Sequence, residues 1–326
     1  MSEISAVGRI QGRLTRDRRR TLVAFGFAVI VFAVGAFLHH GFASWGSVNA
    51  IVEVASFVGF VAAGQTLVIL VGGIDLSVPW VLNAAGILFA VFSLGHSGRA
   101  VPAVLLALGL GFAIGAVNGF CVAYLAVPAV VMTLAMNGIM EGVTLGLTKG
   151  LTCTRCNSYA PRVLQDFVHK DLLGVPADLV LWFGVVLLVT VVLSYTTFGR
   201  KVYATGNNPT AAYLSGMNVR LVTTSLYALS GMFAALAGIV LVSYSGQPTL
   251  GMGDPFLFQS IAAAVIGGIS ILGGRGNYLG TVAGAVSLVA LISLLGAENM
   301  PDYGRSIVYG VSILVVLVLF GREERV

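Results

Sequence analysis

Long apolar stretches separated by short polar breaks run along the chain from residue 21 onward. They predict ten membrane-crossing helices near 21–38, 48–71, 78–95, 101–124, 128–148, 179–197, 221–244, 256–273, 278–296 and 305–320. Each stretch approaches the ~20 residues that a helix needs to cross a hydrocarbon layer of ~30 Å. Ten crossings put both termini on one side. The pattern therefore divides the chain into a tail, 1–20, a single transmembrane domain, 21–320, and a short tail, 321–326. Two polar segments stand out between the crossings, an outer loop 149–178 and a loop 198–220 on the side of the termini.

Composition removes the competing classes. Of 326 residues 57% are hydrophobic and only 10% charged, with a mean hydropathy of +0.96. Soluble domains carry about 25% charged residues, so this chain lacks the groups to coat a water-facing surface. Disorder needs low hydrophobicity and high charge and is excluded with it. The 42 glycines suit membrane helices that pack through small residues. Three sets are spaced by four: Gly111, Gly115 and Gly119; Gly138, Gly142, Gly146 and Gly150; Gly276, Gly280 and Gly284. Each set lies on one helix face. Close packing inside the subunit is the first expectation for all three, and an interface with substrate or a second subunit the other.

The net charge of +5 has a local origin. Six of the 18 Lys and Arg are Arg9, Arg13, Arg16, Arg18, Arg19 and Arg20, immediately before an uncharged run from Thr21 to Leu38. That placement excludes a nucleic-acid surface. The apolar core of a secretory signal is only ~7–15 residues, so an uncleaved first crossing behind a cytoplasmic tail fits better. The side holding the termini collects twelve of the 18 Lys and Arg, which places both ends in the cytoplasm. Asp166, Asp171, Asp178, Asp254, Glu298 and Asp302 fall on the opposite, outer side. A basic tail beside a membrane also meets anionic lipid.

Catalytic chemistry is missing. The lysines, Lys149, Lys170 and Lys201, follow Thr148, His169 and Arg200, so no G-K-[ST] phosphate loop is present. His39, His40, His96 and His169 all fall in loops or at span ends. The chain is expected to be no enzyme and to hold no metal. Transport is the class that remains. Polar residues at membrane depth are then candidates for a translocation path, since a carboxylate there costs about 2.5–3.5 kcal/mol on insertion scales. Asp75 lies in V-G-G-I-D-L-S-V-P, 71–79, between two apolar stretches. It is expected either to anchor a helix break on the path, capping a helix that starts at Leu76, or to cap a tight cytoplasmic turn. Glu141 in the fifth stretch, Glu53 and Gln65 in the second, and Asn83, Asn118 and Asn137 complete the set. Each alone also reads as an interhelical hydrogen bond.

Within 198–220, a short helix has both ends marked. Asn208 is a favoured N-cap, Pro209 suits the first helical position and Gly216 the left-handed position past the end. A helix that short is marginal in water and needs a surface, either a partner's groove or its own bundle. In the outer loop, Cys153 and Cys156 read as a disulfide in an oxidising compartment. A metal would lack nearby ligands other than His169, and a reactive thiol is the third reading. Cys121 reads as a small core residue.

Four stretches carry a family resemblance. They are G-Q-T-L-V-I-L-V-G-G-I-D-L-S-V (64–78), A-V-N-G-F-C-V-A-Y-L-A-V-P-A-V-V-M-T-L (116–134), F-G-R-K-V-Y-A-T-G-N-N-P-T-A-A-Y-L-S-G-M-N-V (198–219) and A-A-A-V-I-G-G-I-S-I-L-G-G-R-G-N-Y-L-G-T-V-A-G-A (262–285). The sequence resembles the monosaccharide ABC-importer permeases of ribose/xylose/galactose type, within the branched-chain amino acid and sugar permease superfamily. The resemblance implies an all-α membrane bundle like that of type II ABC importers, in the bacterial cytoplasmic membrane. It implies a second permease copy or paralogue, a cytoplasmic ATPase that holds the ATP and Mg, and an extracytoplasmic solute-binding protein. No cofactor is implied in this chain. The segment 204–217 corresponds to the helix that lies on the ATPase, with Gly206, Asn207, Asn208, Pro209, Ala211, Ala212, Leu214 and Gly216 as coupling residues. Three departures touch the solute rather than the class: Pro79 after the I-D-L-S-V run in place of glycine, Glu141 where arginine is common, and C-T-R-C at 153–156 in a loop that is usually glycine-rich. A self-sufficient carrier or channel is the alternative.

Overall fold

The computed structural model describes residues 21–151, 158–172, 174–301, 303–305, 307–308 and 310–311. The tails 1–20 and 321–326, Cys153, Cys156 and most of the tenth predicted stretch lie outside the described residues. Seven described helices are long and apolar enough to cross a membrane. They include α1 (Thr21–Leu38) and, with the 3-10 turn before it, α4 (Ala100–Tyr124). The others are α2 (Trp45–Ile69), α5 (Ala129–Thr148), α7 (Ala177–Tyr195), α10 (Val219–Ser245) and α12 (Tyr278–Ala297). Two shorter apolar helices join them, α3 (Val78–Ser93) and α11 (Asp254–Ile266). The boundaries predicted for the first nine stretches hold to within a few residues except in the eighth, expected to run to residue 273. There the helix stops at Ile266.

Glycine chemistry makes that stop. Gly268 takes φ 86°, its N–H donates to the Val265 carbonyl, and the Ile269 N–H reaches back to Ala264. The same left-handed ending closes α2, with Gly72 at φ 79°, its N–H on Ile69 and the Gly73 N–H on Val68. Two interrupted helix pairs result, α2–α3 around 70–77 and α11–α12 around 267–277. Backbone freed in this way is tolerated in a membrane only when buried in protein or lining a cavity.

The two polar loops hold more structure than their composition announces. The 149–178 loop contains α6 (Arg162–Val168) and a two-stranded antiparallel ribbon, β1 (Asp171–Leu172) with β2 (Val175–Pro176). The 198–220 loop contains two helices, α8 (Thr197–Asn207) and α9 (Pro209–Leu214).

Burial sorts the bundle into a centre and a rim. In their most apolar windows, α2 and α10 are 83% and 72% buried, against 22% for α1 and α5. A helix that is apolar on every side belongs in a core, and α2 fits that description. Glycines let the central helices meet. A Cβ on Gly111 would strike the Gly231 carbonyl, one on Gly115 the Tyr227 carbonyl, and one on Gly119 the backbone at Thr224. Gly280 and Gly284 do the same between α12 and α11. Gly138, Gly142, Gly146 and Gly150 have nothing within 4 Å of such a Cβ, so the expectation of packing inside the subunit fails for this set. Its face of α5 is exposed because α5 turns Thr133, Met136, Met140 and Thr144 inward instead. Gly115→Leu should therefore cut the yield of monodisperse protein in size-exclusion chromatography severely, while Gly142→Leu should leave it near wild type.

The direction of each helix fixes two ends. Thr21 and Asn277 share hydrogen bonds between their side chains (3.0 Å from Asn277 Nδ2), so the start of α1 lies beside the 267–277 break and the α8–α9 segment. At the far end, His39 and Glu298 meet at 3.0 Å, joining the end of α1 to the end of α12.

Candidate functional site

Asp75 is the buried centre of the 70–77 break, 1% exposed. It does not cap a helix at Leu76. The helix begins at Val78, and Asp75 closes the turn before it: Oδ1 accepts from the Ser77 N–H at 3.0 Å and from Ser77 Oγ at 2.6 Å. A short acidic side chain bonded two residues on is the usual way to hold such a turn. Oδ2 accepts from Ser230 Oγ on α10 at 2.8 Å. Asn118 Nδ2 on α4 donates to Ser77 Oγ at 2.9 Å, and Thr133 Oγ1 on α5 donates to the Ile74 carbonyl at 3.3 Å. Three helices thus grip one turn through hydrogen bonds. Among the described residues no cation pairs with Asp75. The turn that Asp75 closes is buried, and α10 shields its carboxylate.

Tyr227 Oη and Asn118 Oδ1 lie buried in this neighbourhood without a hydrogen-bond partner among the described residues. The Tyr227 hydroxyl presses on Gly73, where any side chain would collide with it. Buried polar groups with spare valence are costly and here surround the one carboxylate that several helices share.

The other path candidates do not join this cluster. Asn83 is fully buried and, with its amide turned to suit its neighbours, donates to the Thr249 carbonyl at 3.0 Å and accepts from the Gly251 N–H at 2.8 Å. It therefore pins a non-helical segment, 246–253, that runs back along α3 and brings Gly253 against the Pro79 carbonyl. Asp254 follows this segment as the exposed first residue of α11. Gln65 is wholly enclosed, with neither amide atom bonded among the described residues. Asn137 and Glu141 are half-buried on α5, flanking the exposed glycine face. Glu53 is also half-buried, and its neighbour Ser56 donates to Asp178 Oδ2 at 3.1 Å, so Asp178 is a buried tie between α2 and α7. Asp75 and Asn118 are brought together, and the remaining candidates are dispersed.

The α8–α9 segment divides its predicted residues between two roles. The predicted ends of α9 are present: Asn208 Oδ1 accepts from the Ala211 N–H at 3.0 Å, Pro209 opens the helix and Gly216 takes φ 81°. Asn208, Pro209, Ala211, Leu214 and Gly216 are exposed. Ala212 is buried, and Gly206, half-buried, packs against Leu70 and Gly274. The Asn207 amide is likewise turned to its own chain. Tyr213, which the motif did not single out, is 69% exposed next to Leu214 at 79%. An aromatic residue one step from a capped turn was the available signal. Arg200, Lys201 and Arg220 are exposed at the same end, with Arg220 over the Tyr124 ring. At the far end, a cleft of about 590 Å³ is lined by His96, Ser97, Tyr159, Arg162 and Gln165.

A bundle of apolar helices with interrupted pairs, a buried carboxylate at one break and an exposed apolar helix at one end defines a multi-pass membrane permease. The chain belongs to the family described as "Branched-chain amino acid transport system / permease component", whose model matches residues 47–317. It is 35% identical over 271 residues to the fructose import permease protein FrcC of Rhizobium meliloti, covering 81% of this chain and 74% of that one. It is 35% identical over 308 residues to the ribose import permease protein RbsC of Escherichia coli (strain K12), covering 94% of each. It is 33% identical over 309 residues to the autoinducer 2 import system permease protein LsrC of Escherichia coli (strain K12 / DH10B), covering 94% of this chain and 88% of that one. No solved structure matches. The chain is thus a transport protein of the bacterial inner membrane.

Proposed function

We propose that this chain is the permease subunit of an ATP-driven importer that moves a monosaccharide or similar small polar solute delivered by an extracytoplasmic binding protein. The observation that carries this reading is α9, a six-residue helix that displays Tyr213 and Leu214 to solvent in a chain whose relatives are import permeases. So short a helix gains nothing by exposing two large apolar side chains unless another surface covers them. The cover is a cytoplasmic ATPase, which brings the ATP and Mg that no motif of this chain can hold.

The reading keeps ten crossings with both termini in the cytoplasm, and the position of the first helix supports its N-terminal half. The start of α1 sits beside the end that carries α9, and that end has the exposed Arg200, Lys201 and Arg220, as the distribution of basic residues requires. The cleft and the ribbon of the 149–178 loop then face outward, toward the binding protein. The bare glycine face of α5 is where a second permease, the same chain or a paralogue, completes the path. Fructose, ribose and autoinducer 2 in the relatives' names keep the solute among small polyhydroxylated molecules.

Reconstitution in proteoliposomes tests the reading with radiolabelled ribose, xylose, galactose and fructose. Uptake should require the co-encoded ATPase, internal ATP and the co-encoded binding protein together. Uptake by this chain alone, driven by an ion gradient, would replace the reading with a secondary carrier.

A further inference from the structure

At the end that carries α9, one contact gathers three parts of the chain that are remote in sequence. The Gly274 N–H donates to the Leu70 carbonyl at 2.8 Å, joining the 267–277 break to the end of α2. Asn207 Nδ2 donates to the Tyr203 carbonyl at 2.7 Å and to the Gly274 carbonyl at 3.3 Å, bringing in the end of α8. Tyr203 Oη donates to the Gly276 carbonyl at 2.8 Å.

The backbones themselves touch here. A Cβ on Gly206 would run into the Leu70 carbonyl and come within 2.6 Å of the Gly274 nitrogen. One on Gly273 would lie 2.8 Å from the Gly72 nitrogen and 3.3 Å from the Gly206 carbonyl. Backbone packed on backbone leaves no flexible side chain to absorb a displacement, and packed cores pass strain on rather than deform smoothly. The position along the chain matters as much. Asn207 ends α8 and the next residue, Asn208, caps α9. On the other side of the contact, Leu70 is five residues from Asp75.

We infer that this junction of Gly206, Asn207, Tyr203, Gly274 and Leu70 transmits the movement of α9 to both helix breaks. It rests on the reading of α9 as the ATPase dock. The junction residues are positioning residues: they touch neither nucleotide nor solute, and they oblige the 70–77 and 267–277 breaks to follow α9. Asp75, tied to α10 through Ser230, is the first group inside the bundle to be shifted.

The test separates docking from transmission in the reconstituted complex. Tyr203→Phe removes one hydroxyl and keeps the ring, and Gly274→Ala places a methyl 2.8 Å from the Asn207 side chain. Both variants should capture the ATPase and hydrolyse ATP as wild type does. Uptake of whichever panel sugar the wild type carries should fall about fivefold in Tyr203→Phe, the effect of one net hydrogen bond, and about tenfold in Gly274→Ala. Sugar moved per ATP is the readout that a merely structural role would not change. If Gly274→Ala fails to fold in size-exclusion chromatography, Tyr203→Phe decides alone. Uptake per ATP at the wild-type level in the folded variants, or loss of ATPase capture, overturns the inference while the permease reading stands. A wild-type complex that captures no ATPase or carries no sugar overturns the permease reading and the inference with it.

Discussion

Leu214→Asp is expected to abolish capture of the ATPase while the membrane bundle stays folded. Leu214 is 79% exposed and Ala211, one turn earlier on the same face, is exposed as well. Covering a leucine contributes about 1.5–3 kcal/mol. A carboxylate at the same place must shed its water to be covered, which costs at least as much again. The combined loss of about 3–6 kcal/mol lowers affinity by a factor of roughly a hundred to ten thousand. Ala211→Asp acts in the same direction through desolvation alone. Ala212→Asp makes the contrast, since Ala212 is buried in the chain's own surface and its replacement should disorder α9 rather than merely change its face. Affinity capture of the ATPase, scored beside the thermal melt of the permease in detergent, distinguishes the outcomes. Wild-type transport by both Leu214→Asp and Ala211→Asp would end the coupling-helix idea.

Asp75→Ala is the second large effect. The change leaves the Ser77 N–H, Ser77 Oγ and Ser230 Oγ with no acceptor in a site closed to water. Each stranded donor costs about 1–3 kcal/mol, and because two of the three are hydroxyls that can rotate, the sum lies near the low end, about 3 kcal/mol. A loss of several kcal/mol is a large share of any domain's margin, so the melting temperature in detergent should drop by many degrees and uptake with it. Asp75→Asn keeps an acceptor at the Oδ1 position and an approximate shape. It should melt between the two and retain more uptake. Wild-type uptake by Asp75→Ala would show that the carboxylate is dispensable.

Much of this was legible in the sequence because a membrane enforces simple rules. Apolar length located nine of the described helices, and the Asn208–Pro209–Gly216 punctuation located α9 residue by residue. The misses have physical causes. The extension of α11 to residue 273 arose because Ile269 and Ile271 are apolar, whereas the glycines around them take left-handed backbone that no hydropathy average registers. The helix α8 is half polar and was absorbed into a loop. The four-residue glycine spacing looks alike in α4 and α5, yet among the described residues only the glycine face of α4 meets a partner helix. For the candidate site, sequence named Asp75 and Asn118 but not Ser77, Ser230 and Tyr227. Ser230 and Tyr227 are ordinary residues of α10, and only its crossing over the break makes them neighbours of the carboxylate, while Ser77 enters through the turn that Asp75 itself closes. Likewise Ala212 belongs to the motif and is buried against its own chain, because motif membership does not say which way a helix is turned.

The brevity of α11 has a consequence for biogenesis. Thirteen residues rise ~20 Å as a helix, well short of the ~30 Å hydrocarbon layer. Its flanks are non-helical, and their backbone groups are satisfied by Asn83 and Leu70, residues made early in synthesis. A segment that cannot satisfy itself in lipid has no stable place there until its partners have arrived. Expected, then, is that α11 and its flanks settle only against α2 and α3, which the order of synthesis supplies first.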